Sequence, residues 1–191
     1  YAQTANSHGE NDYGDTYVEI NLTAQHLYFY KNGNLVVDSD FVSGNISKGN
    51  GTPVGAYPVT YTERNATLKG ENYSSDVSFW MPYCGNVGMH DASWRSTFGG
   101  NIYKRNGSHG CVNLPYAAAK TIFENIAAGY PVLVYELPGT ESPKAIAMDQ
   151  GASVVDAING IGEVSLGSGG AITNARNAYN GLSEEAKSYV S

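Results

Sequence analysis

Apolar and polar residues alternate along the beginning of this chain, and a period of two favours β-strands over helices. Residues 16–22 alternate in this way and predict a half-buried strand. Two further strand-like runs, 26–30 and 35–44, flank Asn32-Gly33, a pair that accepts the positive φ angles of a tight hairpin turn. This part of the chain therefore predicts a β-structure that contains a hairpin.

One helix interrupts the β pattern, starting at Pro115 and ending near Gly129, residue types suited to the two helix ends. Its apolar face consists of Ala119, Ile122, Phe123 and Ile126. Residues 131–135 then predict a strand buried on both faces. Residues 44–55 predict a loop, and the polar residues 63–75 predict a mobile lid over a site.

Composition divides the chain into four parts. Residues 1–14 lack periodicity and predict a tail or linker, and residues 15–136 predict a β-rich domain. A linker is predicted at 137–150, and residues 151–191 predict a small helical module. We expect that module either to lean on the β-rich domain or to be cut from a longer protein.

Charge and hydropathy argue against two classes of protein. The chain has 11 Lys and Arg against 18 Asp and Glu, a formal net charge of −7, which argues against nucleic-acid binding. No apolar run approaches the roughly 20 residues of a membrane span, and the polar start resembles a processed segment rather than a signal peptide. Few charges together with 23 Gly and 15 Tyr favour an exported protein.

The densest group of reactive side chains is Ser-His-Gly-Cys-Val-Asn at residues 108–113. Cys111 lies just ahead of the predicted helix, whose dipole would lower the pKa of the thiol and favour the nucleophilic thiolate. Gly110 lets backbone N–H groups turn toward one point, as an oxyanion hole requires. The alternative is that Cys111 is a small buried apolar residue, as most free cysteines are.

A thiol nucleophile needs a base, and the chain has four histidines. His8 falls in the tail, and His26 is expected at the surface. His109 would point to the same side as the thiol, as a base or as a structural hydrogen-bonding group. His90 is followed by Asp91, whose carboxylate or backbone carbonyl would fix the tautomer of the imidazole, although a structural role is the alternative for this histidine too.

Cys84 leaves further alternatives open. Cys84, His90, His109 and Cys111 would together form a Cys₂His₂ zinc site, although their spacing fits zinc fingers poorly. A disulfide between Cys84 and Cys111 would silence the nucleophile. Cys84 is otherwise expected to be buried or to act as a redox partner of Cys111.

Several motifs together resemble the L,D-transpeptidase catalytic domain, also called the YkuD domain. That family carries a His upstream of a Ser/Thr-His-Gly-Cys motif, as His90 and residues 108–113 do here. Residues 52–57, 90–95 and 98–100 resemble further family segments, and the resemblance covers about two thirds of the chain. The resemblance implies a mainly β, L,D-transpeptidase-type β-sandwich with one or more short helices, and the composition after that domain predicts that it is followed by a small α-helical appendage.

The resemblance also implies roles for individual residues. Cys111 matches the nucleophile and His90 the general base, with the backbone carbonyl of Asp91 orienting the imidazole. Backbone N–H groups around His109, Gly110 and Cys111 match the oxyanion hole.

Further residues are candidate substrate contacts. Ser108 and Asn113 match motif positions that shape the loop and border the substrate. Four others are near the motifs in the sequence: Trp80, Tyr83, Trp94 and Arg95. The aromatic ones would line a groove or pack in the core, and Arg95 would meet a substrate carboxylate or form a structural ion pair.

The function implied by the resemblance is a cysteine-dependent peptidoglycan L,D-transpeptidase. An acyl-enzyme would form with release of a terminal D-Ala, and an amine of a neighbouring stem peptide would resolve it into a 3→3 cross-link. With water as the acceptor, the result is L,D-carboxypeptidase activity. Stem peptides are the expected partners and carbapenems the expected inhibitors, with no metal and no organic cofactor.

The expected location is extracellular, at the cell wall, with any membrane anchor upstream of this chain. The alternative is a catalytically silent wall module that binds peptidoglycan.

Overall fold

The structure is a computed structural model, and it describes residues 13–70 and 73–191. Nine strands lie within that range: β1 Tyr17–Asn21, β2 His26–Lys31, β3 Asn34–Asp40, β4 Gly55–Pro58, β5 Glu63–Gly70, β6 Tyr73–Cys84, β7 Val87–Asp91, β8 Val112–Leu114 and β9 Pro131–Tyr135. The helices are α1 Tyr103–Asn106, α2 Tyr116–Asn125, α3 Pro143–Asn159, α4 Gly169–Asn180 and α5 Glu184–Lys187. Short 3₁₀ turns occur at Ile46–Lys48 and Leu166–Ser168. The predicted tail, except for its last two residues, and His8 lie outside the described residues.

The strands form two mixed sheets. One has five strands in the order β3-β2-β1-β9-β4, and the other has four in the order β5-β6-β7-β8. Both sheets contribute to one apolar core, with Ile20 and Phe29 from the first and Phe79 and Met89 from the second. Helix α2 adds Ile122 to this core, as its apolar periodicity predicts. Burial of each such side chain contributes about 1.5–3 kcal/mol, so the core holds the two sheets together.

The predicted hairpin between the first strands is present, but the burial of β1 differs from the prediction. Asn32 and Gly33 have φ angles of 52° and 74° and connect β2 to β3 in the predicted hairpin. Strand β1 is buried on both faces, so the prediction of a half-buried strand is wrong. Glu19 is fully buried because β1 lies between β2 and β9, and the hydroxyl of Tyr135 donates to its carboxylate.

The structure also differs from two predictions for the last part of the β-rich domain, the burial of β9 and the bounds of α2. In β9, Val132 and Val134 are buried while the alternate residues are half-buried, so only one face is fully covered. Helix α2 begins at Tyr116, with Pro115 in the N-cap position. It ends at Asn125, earlier than the predicted Gly129.

Within the polar segment 63–75, residues 63–70 and 73–75 are strand rather than loop. Strand β5 pairs antiparallel with β6, with Thr67 opposite Asp76, and forms a two-stranded ribbon. Ala66 belongs to a small apolar cluster with Val77 and Trp80, and Leu68, two residues on, packs against that cluster. This alternation explains why a polar segment is a strand. The prediction of a lid made of loop is therefore wrong in its secondary structure.

The chain divides into two compact units, one ending at Glu141 and the other spanning Ser142–Ser191. Helix α3 begins at Pro143, and the side chain of Ser142 caps it by accepting from the N–H of Ala145 at 3.1 Å. The predicted linker at 137–150 is therefore contradicted in its second half, because Ser-Pro is a helix start here rather than linker sequence. The second unit buries mainly small residues: Ala145, Ala147, Val154, Ala175 and Ala186. No helix in the described part of the chain has the length and apolarity needed to cross a membrane.

Candidate active site

An open cleft with a volume of about 150 Å³ lies between the β5–β6 ribbon, the end of β7 and the loop before β8. Its walls are formed by Leu68, Tyr73, Ser75, His90, Trp94, Arg95, Gly107, Ser108, His109, Cys111 and Asn113. Seven of these are residues that the sequence predicts for the site. The cleft therefore brings the predicted nucleophile and the predicted base together.

His90 is held in one orientation at the end of β7. It is only 3% exposed, and its Nδ1 lies 2.8 Å from the backbone oxygen of Asp91. Because a carbonyl oxygen only accepts, Nδ1 carries the proton and Nε2 is free to take one. Burial lowers the pKa of His90 and outweighs the carbonyl contact and the negative charge of Asp91, which both raise it, while the charge of Arg95 lowers it further. The imidazole is therefore neutral at neutral pH, as a general base must be.

The carboxylate of Asp91 does not orient the histidine. Its Oδ1 accepts hydrogen bonds from the backbone N–H groups of Ser78 and Phe79, both at 2.9 Å. This buried carboxylate ties β7 to β6. Of the two groups of Asp91 considered from the sequence, the backbone carbonyl is the one that contacts His90.

Cys111 does not lie at a helix N-terminus. Strand β8 separates it from α2, so the predicted dipole effect on its thiol is wrong. Burial raises the pKa of the Cys111 thiol, and a contact with the backbone N–H of Gly88 opposes that rise only in part. The Sγ–H donates to the backbone oxygen of Asn86 at 3.5 Å, a long contact. The resting side chain is therefore a thiol, which must lose its proton in order to react.

The loop that carries Cys111 is fixed by hydroxyl groups. Ser108 Oγ donates to the backbone oxygen of Cys111 at 2.5 Å and accepts from the N–H of Gly110 at 3.0 Å. Thr52 Oγ1 donates to the backbone oxygen of Gly110 at 2.7 Å. With a φ of 128°, Gly110 adopts a conformation that L-residues rarely take. Since the N–H of Gly110 is used by Ser108, the backbone N–H groups of His109 and Cys111 remain as candidate oxyanion donors.

His109 faces the ribbon rather than the thiol. Its ring stacks on Tyr73, with centroids 4.2 Å apart and planes within 13°. Tyr73, Leu68 and Ser75 also line the cleft, although the sequence predicts a loop rather than site residues in their segment. The aromatic Tyr73 in an otherwise polar run was the available signal.

Two predicted substrate contacts are not cleft residues. Trp80 is 5% exposed and packs with Ala66 and Val77 in the cluster against which Cys111 rests. Tyr83 is 3% exposed and belongs to the main core. The prediction that these two rings line a substrate groove is therefore wrong. Trp94, by contrast, is 51% exposed at the rim of the cleft, its ring 5.9 Å from that of His90.

Asn113 lies at the floor of the cleft. It pairs with His90 across β7 and β8, and its backbone N–H and carbonyl both bond to Val42 at 2.9 Å. It is 2% exposed, and its Oδ1 has no hydrogen-bond partner among the described residues. Asn113 therefore places an unsatisfied buried hydrogen-bond acceptor beside His90.

Cys84 and Cys111 are not joined in a disulfide. Both cysteines are free thiols, and Cys84 packs against the main core whereas Cys111 packs against the cluster around Trp80. The disulfide considered from the sequence is therefore not formed. Across residues 13–70 and 73–191, no three His, Cys, Asp or Glu side chains converge in a way that could hold a metal ion, so the Cys₂His₂ arrangement is not formed either.

The fold and the site define the class of this domain. The family model for the L,D-transpeptidase catalytic domain, YkuD, matches residues 15–134, which is more than half of the chain. The chain belongs to this family, and the prediction of an L,D-transpeptidase-type β-sandwich with a helical appendage is confirmed. No sequence among the curated proteins matches the chain.

Solved structures give more specific likenesses. A crystal structure of an Enterococcus faecium L,D-transpeptidase with a cysteine-to-serine mutation is 41% identical, with a TM-score of 0.61, over 64% of this chain and 50% of that one. The chain thus matches half the length of that protein. An NMR structure of the catalytic domain of the E. faecium enzyme acylated by ertapenem is 42% identical, with a TM-score of 0.58, over 63% of this chain and 97% of that domain. An L,D-transpeptidase from Mycobacterium tuberculosis, 21% identical over 64% of this chain and 58% of that one, with a TM-score of 0.56, shares the fold.

Proposed function

We propose that this chain carries a cysteine-dependent L,D-transpeptidase that forms 3→3 cross-links in peptidoglycan. The observation that carries the proposal is the meeting of Cys111 and His90 at one cleft, with the imidazole held by the Asp91 carbonyl. The likeness to an enterococcal catalytic domain acylated by ertapenem supports acyl transfer as the class of reaction.

The first half of the reaction transfers the acyl group of the donor stem to sulfur. The Cys111 thiol turns from its long contact with Asn86 toward His90, and Nε2 takes its proton as Sγ attacks the amide carbonyl before the terminal D-Ala. The C–N bond breaks, and the imidazolium returns the proton to the amine of the departing D-Ala. The product of this half-reaction is a thioester on Cys111.

The second half resolves the thioester. A side-chain amine of an acceptor stem attacks the carbonyl carbon, His90 takes the amine proton, and the Cys111 thiolate leaves and is reprotonated. When water takes the place of the amine, the product is the shortened stem, which is L,D-carboxypeptidase activity. None of these steps uses a group from outside the chain and its two substrates.

Location and inhibition follow from the proposed substrate. Peptidoglycan lies outside the membrane, so we place the enzyme in the cell wall, where cross-linking contributes to wall organisation and cell shape. Fractionation of the producing cells, with detection of this chain in the wall fraction, checks that placement. Carbapenems are the expected inhibitors, because they present an acyl group to the same thiol.

The test incubates the purified chain with a synthetic tetrapeptide stem that ends in D-Ala and analyses the products by mass spectrometry. We expect a dimer with the mass of two stems less one alanine, together with free D-Ala, from the parent and from Cys84→Ala. Cys111→Ala should give neither product. Free D-Ala without any dimer would reduce the proposal to carboxypeptidase activity. Binding of the stem with no product at all would favour the wall-binding module.

A further inference from the structure

Arg95 lines the cleft beside His90 with part of its guanidinium unpaired. Its Nη1–H donates to the backbone oxygen of Asn106 at 2.9 Å, at the end of α1, which fixes the plane of the group. Its Nε is buried and has no hydrogen-bond partner among the residues that the structure describes. A buried, unpaired N–H on a cation is costly, so a group that accepts from it is stabilised there.

The surroundings of Arg95 favour an anion. No Asp or Glu is among the described residues that line the cleft, and Arg95 is the only permanently charged one. The carboxylate of Asp91 is turned away to the N–H groups of Ser78 and Phe79. In a chain with a net charge of −7, the cleft therefore presents a local positive charge.

We propose that Arg95 binds the terminal carboxylate of the donor stem peptide, the carboxylate of the D-amino acid that leaves. The inference rests on the proposed function and adds to it a residue that selects donors by their free C-terminus. Nε–H and the neighbouring Nη2–H form the fork that meets the two carboxylate oxygens, while Nη1 stays on Asn106.

The chemistry of the donor requires the carboxylate to lie close to the nucleophile. A single residue separates the attacked carbonyl from the C-terminus, and successive Cα atoms are about 3.8 Å apart. When the carbonyl lies at Cys111, the carboxylate is confined to the same cleft of about 150 Å³. Holding it at Arg95 would fix the direction of the scissile bond between the thiol and the base.

The experiment compares two synthetic donors, a tetrapeptide stem ending in D-Ala and the same stem ending in D-alaninamide. The readout is kcat/KM for release of the terminal residue. We expect the parent to prefer the free acid by about 10- to 100-fold, the range of a charged hydrogen-bonded pair. Arg95→Gln should bring the ratio to within about threefold of one, mainly by raising KM for the acid, and Arg95→Lys should restore part of the preference.

Two controls separate recognition from structure. Arg105→Gln removes the same charge from an exposed residue on α1 and should keep the parent ratio. Alkylation of Cys111 by iodoacetamide, a neutral reagent, reports whether the loop around the thiol is intact in each variant. Equal rates for the two donors with the parent enzyme, or an unchanged preference in Arg95→Gln, would overturn the inference and leave the proposed function standing. Release from neither donor would overturn both.

Discussion

At the scale of residues, the protons on Cys111 and His90 decide how the nucleophile forms. Burial raises the pKa of the thiol and lowers the pKa of the imidazole, so both groups are neutral at rest. A preformed thiolate–imidazolium pair would need the opposite shifts. In the proposed reaction the proton therefore moves to His90 during the attack rather than before it.

The protonation states of Cys111 and His90 predict how the rates of acylation and alkylation of Cys111 depend on pH. His90 must be neutral to act, and its pKa lies below the ordinary 6.5, so acylation should persist below that pH and fall only at more acidic values. Alkylation of Cys111 by iodoacetamide should still be rising at the ordinary thiol pKa of 9.0, because its own pKa is higher. Stopped-flow or quenched-flow rates of acylation and of alkylation, measured as a function of pH, test both expectations. An alkylation rate that is already maximal at about pH 6 would show an ion pair instead.

That Cys111 and His90 line one cleft could be predicted, because residue type and spacing indicate a nucleophile and its base. Cys111 and His90 follow from the motif and the upstream histidine. The pKa of Cys111 could not be predicted, since it depends on burial beside Trp80 and on a backbone N–H of Gly88. Backbone donors and acceptors have no signature in side-chain identity.

At the scale of elements, β7 positions both halves of the site. His90 on β7 pairs with Trp80 on β6, and Met89 on β7 pairs with Val112 on β8. Strand β7 therefore carries the base and pairs with the strand that directly follows the thiol. Gly88 on β7 lies opposite Pro82, tightly against β6. A Cβ there would meet the backbone oxygen of Met81 and the Cα of Pro82, both at 2.6 Å.

Gly88→Ala is therefore predicted to push β7 away from β6. Relief of these contacts requires backbone movement, for which we expect a loss of about 1–3 kcal/mol in the free energy of unfolding. The shift should also change the alkylation rate of Cys111, because Gly88 contacts the thiol. Chemical denaturation and alkylation kinetics measure the two effects. Gly51→Ala, where the added Cβ meets no atom within 4 Å, serves as the control. Full stability and unchanged alkylation in Gly88→Ala would contradict this account.

Elements with strong local signals were predictable, and those made by distant pairing were not. The hairpin at Asn32-Gly33 and the helix after Pro115 have signals in adjacent residues. The β5–β6 ribbon is polar, and it forms because residues 63–70 find a partner strand and bury Ala66. Similarly, β1 is buried on both faces because of its neighbours in the sheet, not because of its own alternation.

At the scale of the whole molecule, all the site residues lie in the unit that ends at Glu141. That unit has a core built from both of its sheets. The second unit, Ser142–Ser191, buries chiefly alanines. Composition predicts a linker at 137–150, whereas the second unit begins at Ser142 and its first helix at Pro143, because Ser-Pro caps a helix here.

A chain that ends at Glu141 is therefore predicted to keep its reactive thiol. Its rate of acylation by a carbapenem should stay within about twofold of the parent, since each residue placed at the site remains. The separate fragment 142–191 should unfold without a cooperative transition, because so small a core rarely stabilises a domain. Mass spectrometry and circular dichroism measure the two results. Loss of acylation in a folded, truncated chain would contradict the assignment of the whole site to the first unit.

The proposed function depends on the claim that Cys111 accepts an acyl group, and an intact-mass measurement with a carbapenem tests this claim. Reduced parent protein and Cys84→Ala are each predicted to gain one inhibitor mass, and Cys111→Ala to gain none. Peptide mapping of the adduct should then place it on Cys111. No adduct on the reduced parent protein, or an adduct that persists in Cys111→Ala, would contradict the claim.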